Sequence, residues 1–349
     1  MADRSLLDMH EIPCPLCGNG DHIPCLRTPD WTGWVSGEFQ LVRCRNCRHV
    51  FLNPAPVDTS LAACYPHDYG PHQRAIEQRA TPAQSPGPSV DSNSAAVPVA
   101  ERQPWYLSPI MRRIPGPRAF YRWVTDTKSV WIPPGSGTGK RGLELGCSSG
   151  WFLAQLRDRG WSPVGLDLVA GPLAQARAAG FEVYEGTLDS IPFHAESFDA
   201  VFAWMVLEHV PRPRETLCAV HRVLKPRGWF AFSVPNVSCW EPMLFGRHWR
   251  GYDLPRHLQH FSSRGLQSLL EDNGFQIESI IHQPSFLYWT SSLGSRLRAI
   301  APRWSLGARL MGEYENNPPL AWSLWLGPWA RLNAAIKQSG RITVVTRRR

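Results

Sequence analysis

No stretch of this 349-residue chain reaches the roughly 20 consecutive apolar residues that a membrane-spanning helix needs. Its longest apolar tract, Pro318 to Ala330, is broken by Gly327-Pro328. The opening residues, MADRSLLDMHEIPC, lack the apolar centre of a secretory signal. No internal repeat is visible, which removes solenoids and propellers from consideration. Acidic residues are scarce towards the C-terminus: residues 241–349 carry fourteen Lys or Arg against seven acids. These absences lead to the expectation of a soluble, cytoplasmic protein. Any attraction to phosphates or anionic lipid would then come from the C-terminal third.

Cysteine, by contrast, is plentiful and patterned. Four of the nine cysteines form two C-x-x-C pairs, Cys14/Cys17 and Cys44/Cys47, with 26 residues between the pairs. Two such knuckles bring four thiolates into a tetrahedron, the ligand set of a closed structural zinc site. A zinc ribbon is therefore expected over residues 1–70, and disulfides are not. The other five, Cys25, Cys64, Cys147, Cys218 and Cys239, read as packing thiols. Residues 1–70 carry five Arg and eight acids, net −3, which argues against nucleic-acid binding by the ribbon. Residues 71–104 read as a flexible linker, because 81–104 hold five prolines and almost no large apolar side chains. Since the linker separates the two modules, cofactor binding is expected to survive loss of the ribbon.

A second domain is expected over 105–349, opening with one or two helices over 105–131. From Arg141 strands and helices alternate, as a parallel sheet requires. Strands are expected at 142–146, 162–168, 181–186, 198–204, 228–235, 275–282 and 341–347. Helices are expected at 150–159, 171–180 and 213–224, and after the N-cap Ser262 as far as Gly274. The loop Glu144-Leu145-Gly146-Cys147-Ser148-Ser149-Gly150 leaves a strand and opens a helix, where free N–H groups and small residues admit a ligand. Asp167, 21 residues after Gly146, ends the next strand and suits the two hydroxyls of a ribose. An NAD site prefers G-x-G-x-x-G, whereas here C-S-S-G follows Gly146.

The motifs ELGCSSG, GLDL, EGTLDSIPFHAESFDAVFAWMVLEHV and LKPRGWFAFSVPN, in that order, resemble class I S-adenosylmethionine-dependent methyltransferases over about 140–283 and the last strand. The resemblance implies an α/β fold with a Rossmann-like seven-stranded sheet. It implies that Glu144 lies near the cofactor's amine, with Gly146, Cys147 and Gly150 along its methionine part. Asp167 would hold the ribose and Leu168 would flank the adenine. Thr187 and Leu188 would sit at the adenine edge, where the family often has Asp. Ala203 and Trp204 would end a strand beside the sulfonium. CRNCRHVFLNPAP followed by CYPHDY resembles the ribbon of bacterial methyltransferases of secondary metabolism and cell-envelope sugars.

Two clusters offer a base. Glu208-His209 follows the fourth strand, and in the resembling quinone-pathway enzymes such a pair lies beside the acceptor and takes part in metal binding. Met205 stands where those enzymes often have another Glu. The second cluster, FGRHWRGYDLPRHLQHF (245–261), offers His257 and His260, ranked first as bases, and Arg256 as an anion clamp. Residues 284–340 lengthen the connection that the family makes by a tight hairpin. Their tryptophans and arginines suit peripheral membrane contact, with a buried-aromatic lid or dimer surface as the preferred reading. The leading function is methyl transfer to a small-molecule hydroxyl. Sugar C-methylation, RNA methylation and a non-catalytic scaffold are the alternatives, and the oligomeric state stays open.

Overall fold

The computed structural model describes residues 7–65, 130–312 and 319–349. The linker expected at 71–104, and the helices expected before residue 130, lie outside the described residues.

Seven strands make the central sheet: β6 (Arg141–Leu145), β7 (Ser162–Asp167), β8 (Glu182–Glu185), β9 (Phe198–Trp204), β10 (Leu224–Pro235), β12 (Phe275–His282) and β13 (Arg341–Arg348). Their order across the sheet is β12-β13-β10-β9-β6-β7-β8. Only β13 runs antiparallel to its neighbours, β10 and β12. The seven expected strands are all present. Phe198, Val201, Phe202 and Ala203 of β9 are fully buried, because a parallel strand is covered on both faces. Helices α1 (Trp151–Arg157), α2 (Ala170–Ala178), α3 (Pro213–Val223) and α5 (Ser263–Asp272) pack on the sheet, while the short α4 (Glu241–Phe245) lies in the connection after β10. Ser262 caps α5 as expected, its Oγ accepting the Gly265 N–H at 3.1 Å, while Leu266, Leu269 and Leu270 enter the core. Strand order reverses between β6 and β9, and that switch point opens a crevice at the strands' carboxyl ends.

The N-terminal part contains β1 (Met9–His10), β2 (His22–Pro29), β3 (Glu38–Cys44), β4 (Val50–Leu52) and β5 (Ala55–Pro56), then a 3₁₀ stretch, Asp58–Cys64. Its main sheet does not close on itself. A strand from the catalytic half, β11 (Gln259–His260), pairs with β4 to give the order β11-β4-β3-β2. Below this junction Arg256 donates to both carboxylate oxygens of Asp30, at 2.9 and 3.0 Å, and also to Asp253. Arg256 and Asp30 side chains are completely buried. The expectation that the two modules are independent is therefore corrected: a shared sheet and a buried ion pair join them.

Residues 284–340 hold α6 (Leu287–Ile300), α7 (Ser305–Met311) and α8 (Leu320–Ala335). No helix among the described residues is long and apolar enough to cross a membrane. Trp289 packs edge-on against Trp240, Phe245 and Trp329. Trp304 and Trp325 are exposed, so the buried-aromatic reading holds for only part of the segment.

Candidate active site

The strand β6 delivers its chain into a tight loop. Gly146 has φ +69°, and a Cβ there would lie 2.6 Å from Val206 of the loop after β9. Only glycine suits both demands. The N–H groups of Gly146 and Cys147 donate to the Leu166 carbonyl at 2.7 and 3.1 Å, fixing the loop on β7. At the end of β7, Asp167 accepts the Ser148 N–H on Oδ2 (2.8 Å) and the Val169 N–H on Oδ1 (3.0 Å). Each oxygen keeps a further lone pair for a hydroxyl. Leu168 beside it is exposed, Thr187 is exposed, and Leu188 is buried. Cys147 is buried, and Gly150 at φ +88° immediately precedes α1. Trp204, at the end of β9, packs edge-on against Phe152.

Glu144 is the informative member of this set. It is buried, and among the described residues its Oε2 has no hydrogen-bond partner. Burial, then the charge of Asp167, hold its carboxyl well above the usual range. A buried acid with an empty acceptor next to a second carboxylate is costly unless a cation arrives. S-adenosylmethionine carries two positive centres, an ammonium and a sulfonium. The donor set present therefore fits that cofactor.

On the other side of the switch point, the loop after β9 carries Glu208 and His209. The Glu208 carbonyl accepts the Leu258 and Gln259 N–H groups at 2.7 and 3.0 Å, which draws the 253–258 segment over it. As a result ligand atoms of Glu208, His209 and His257 come within 4.8 Å of one another. His209 Nδ1 lies 3.0 Å from the Arg256 carbonyl, and His257 Nδ1 lies 2.9 Å from the Gly251 carbonyl. A carbonyl only accepts, so His257 Nδ1 carries hydrogen. Burial, then the neighbouring His209, push His257 well below the usual histidine range. Burial pushes Glu208 up to about 8, and neither carboxyl oxygen has a partner among the described residues. The cluster therefore combines two imidazoles with a carboxyl whose ionisation burial disfavours.

Two candidates lie elsewhere. His260 is not in this cluster: it sits on β11 opposite Val50, enclosed, with burial pushing it down to about 3. Arg256 is no anion clamp, because its guanidinium is spent on Asp30 and Asp253. One contact of the cluster was missed. The Tyr65 hydroxyl, from the N-terminal module, lies 2.8 Å from His209 Nδ1. Its motif CYPHDY stood out in the sequence, but nothing there linked it to a residue 144 positions away.

The four cysteines of the N-terminal module also converge. Cys14 and Cys47 sulfurs are 3.5 Å apart, as are those of Cys17 and Cys44. All four lie within 4.8 Å of one another, close to the edge of a tetrahedron with bonds of about 2.3 Å.

Residues 119–280 match the family model described as a methyltransferase domain. A ubiquinone biosynthesis O-methyltransferase from Hahella chejuensis is 37% identical over 105 residues, 28% of this chain and 44% of the relative. A probable S-adenosylmethionine-dependent methyltransferase from Mycolicibacterium smegmatis is 29% identical over 148 residues, 41% of this chain and 54% of the relative. Residues 119–280 are thus similar to methyltransferase domains, and the relatives matched are named as methyltransferases. The chain spans about half the length of these two curated relatives. A solved methyltransferase from Mesorhizobium loti aligns with 62% of this chain and 94% of its own, at 21% identity and a TM-score of 0.40. Within the matched residues, the Gly146 loop and Glu208-His209 flank the switch point; Val206 faces Gly146, and its carbonyl accepts the His209 N–H at 2.9 Å. Tyr65 lies outside the matched residues, so one wall of the site comes from the N-terminal module.

Proposed function

We propose that this protein transfers the methyl group of S-adenosylmethionine to a hydroxyl of a small-molecule acceptor, with His209 as the base. The observation that carries the reading is the pairing, across one switch point, of a cation-seeking pocket with an imidazole–carboxyl cluster. The cofactor would supply an electrophilic methyl. Glu144 would meet its charge and Asp167 its ribose, with Trp204 lining the methyl's side. The residues of the chain hold the acceptor's oxygen in line and pass its proton to the His209 imidazole. Glu208 lies next to the imidazolium that forms, and His257 completes the wall. O-methylation is also what the Hahella relative's name records.

The binding half of this reading is testable by calorimetry. Burial and the charge of Asp167 hold the Glu144 carboxyl well above its ordinary range, and a bound cation favours its carboxylate. Binding of S-adenosylmethionine should therefore release a proton, and affinity should rise with pH. Measured in two buffers of different ionisation enthalpy, Glu144→Gln should lose the release. Asp167→Ala should bind more weakly, since each charge-assisted hydrogen bond is worth roughly 1.5–3 kcal/mol. Unchanged affinity in Asp167→Ala would sink the assignment.

Residues 1–70 we read as a zinc ribbon on Cys14, Cys17, Cys44 and Cys47, with no coordination position left for water. Metal analysis should return one zinc per chain. Cys44→Ser should lose it and, because β4 pairs with β11, should weaken cofactor binding too. A zinc-free wild type would end this reading. Full cofactor affinity in the variant would show that the shared sheet does not couple the modules.

A further inference from the structure

The helices of 284–340 are built inside out. In α8 the side buried against the protein carries Ser323, Gly327, Ala330 and Asn333. The opposite side carries Trp325, 84% exposed, and Leu332, and the apolar stripe continues at Ile336 just past the helix end; Trp329 lies at its margin, 39% exposed and packed on Trp289. A water-facing helix has the reverse pattern. Helix α6 repeats the inversion. Thr290, Ser291, Ser292, Gly294 and Ser295 are buried while Leu293 and Ile300 face outward, Ile300 at 73% exposure. Close approach explains the small residues. A Cβ on Gly294 would lie 2.8 Å from the Gly307 carbonyl of α7, and the Ser291 hydroxyl donates to the Leu310 carbonyl. Small residues between helices and large apolar ones outside are the packing of helices in contact with lipid.

Charge identifies the partner. Trp304, 64% exposed, sits at the α6–α7 corner with Arg296, Arg298 and Arg303, all exposed. The segment 284–340 holds six Lys or Arg and two Glu, and no acid occurs among its described residues. A second copy docked by two-fold symmetry would oppose arginine to arginine. An anionic bilayer offers both an apolar depth and the complementary charge, and tryptophan favours the boundary between them.

We propose that α6, α7 and α8 form a platform that lies on an anionic membrane surface without crossing it. The test uses the full-length protein and sedimentation with vesicles of phosphatidylcholine alone or with 30% phosphatidylglycerol added. Binding is expected to the anionic vesicles. Trp325→Ser with Leu332→Ser should reduce it at least tenfold while leaving the unfolding midpoint unchanged, since both side chains point outward. Arg296→Gln with Arg303→Gln should reduce it by roughly fivefold per arginine, with no such effect on neutral vesicles. Absence of sedimentation with anionic vesicles at low salt would overturn the proposal. So would a concentration-dependent dimer that Trp325→Ser dissolves, because the face would then join two copies. Equal retention on heparin by wild type and the Trp325 variant, without vesicle binding, would reduce the surface to a polyanion site.

Discussion

Replacing Arg256 with Met will cost the fold roughly 3–5 kcal/mol, the usual result of removing one partner from a buried ion pair. Arg256 is the only cation hydrogen-bonded to Asp30 among the described residues, and both side chains are fully buried. Burial alone would push Asp30 up, but the hydrogen bonds and charge of Arg256 bring it below its ordinary value. Asp253 is likewise lowered well below its usual range, against burial, by the charges of Arg250 and Arg256. Folded pKa values depressed in this way contribute stability above the unfolded value of about 4, and that stability is lost as pH falls. Without Arg256 the sign reverses for Asp30. Its carboxyl is then held up by burial, so the variant should lose stability as pH rises through the carboxylate range. Urea titrations at several pH values measure both effects. A variant with wild-type stability at pH 7 would show that the pair does not join the modules.

Turnover in His209→Ala should fall by roughly 10²–10⁴-fold, the contribution of a positioned base. Cofactor affinity should change little, because none of the Asp167 and Glu144 contacts passes through His209. The same change at His260 should have a far smaller effect on rate, since that ring lies outside the cluster. Tyr65→Phe should act between these limits: the hydroxyl at 2.8 Å positions the imidazole without touching the acceptor. Its effect should appear in kcat rather than in cofactor affinity. Single-turnover assays with radiolabelled cofactor and catechol-type acceptors separate the outcomes. If His209→Ala kept normal turnover while His257→Ala did not, the base would be His257.

Local patterns in the sequence announced the sheet well. The FDAVFAW strand came out at Phe198–Trp204 and the edge strand FQIESIIH, buried only at Phe275, at Phe275–His282, because apolar runs between turn residues leave few alternatives. The sequence placed Glu144, Gly146 and Asp167 at the ends of neighbouring strands, where the structure also has them, because these residues lie close together along the chain. The acceptor side was not legible in this way. His257 and His260 are three residues apart, yet one faces Glu208 and the other lies on β11, with the cross-module sheet between these fates. Arg256 looked like a clamp since sequence cannot show Asp30 arriving from 226 positions away. Tyr65 was hidden for the same reason. The inversion of α8 was equally concealed: an apolar helix reads as core until burial shows which side faces out.

The pairing of Val50 with His260 also sets a schedule for synthesis. These residues lie on strands joined by a contact such as His49 to Gln259, 210 residues apart. At roughly 5–20 residues per second, about 10–40 seconds separate their emergence from the ribosome. During that interval the outer edge of β4 has no partner from β11, and an open edge invites pairing with another chain. The four cysteines all lie before this gap. Metal capture by the nascent chain would hold the first three strands together while the edge waits, so zinc limitation should appear first as aggregation of newly made chains.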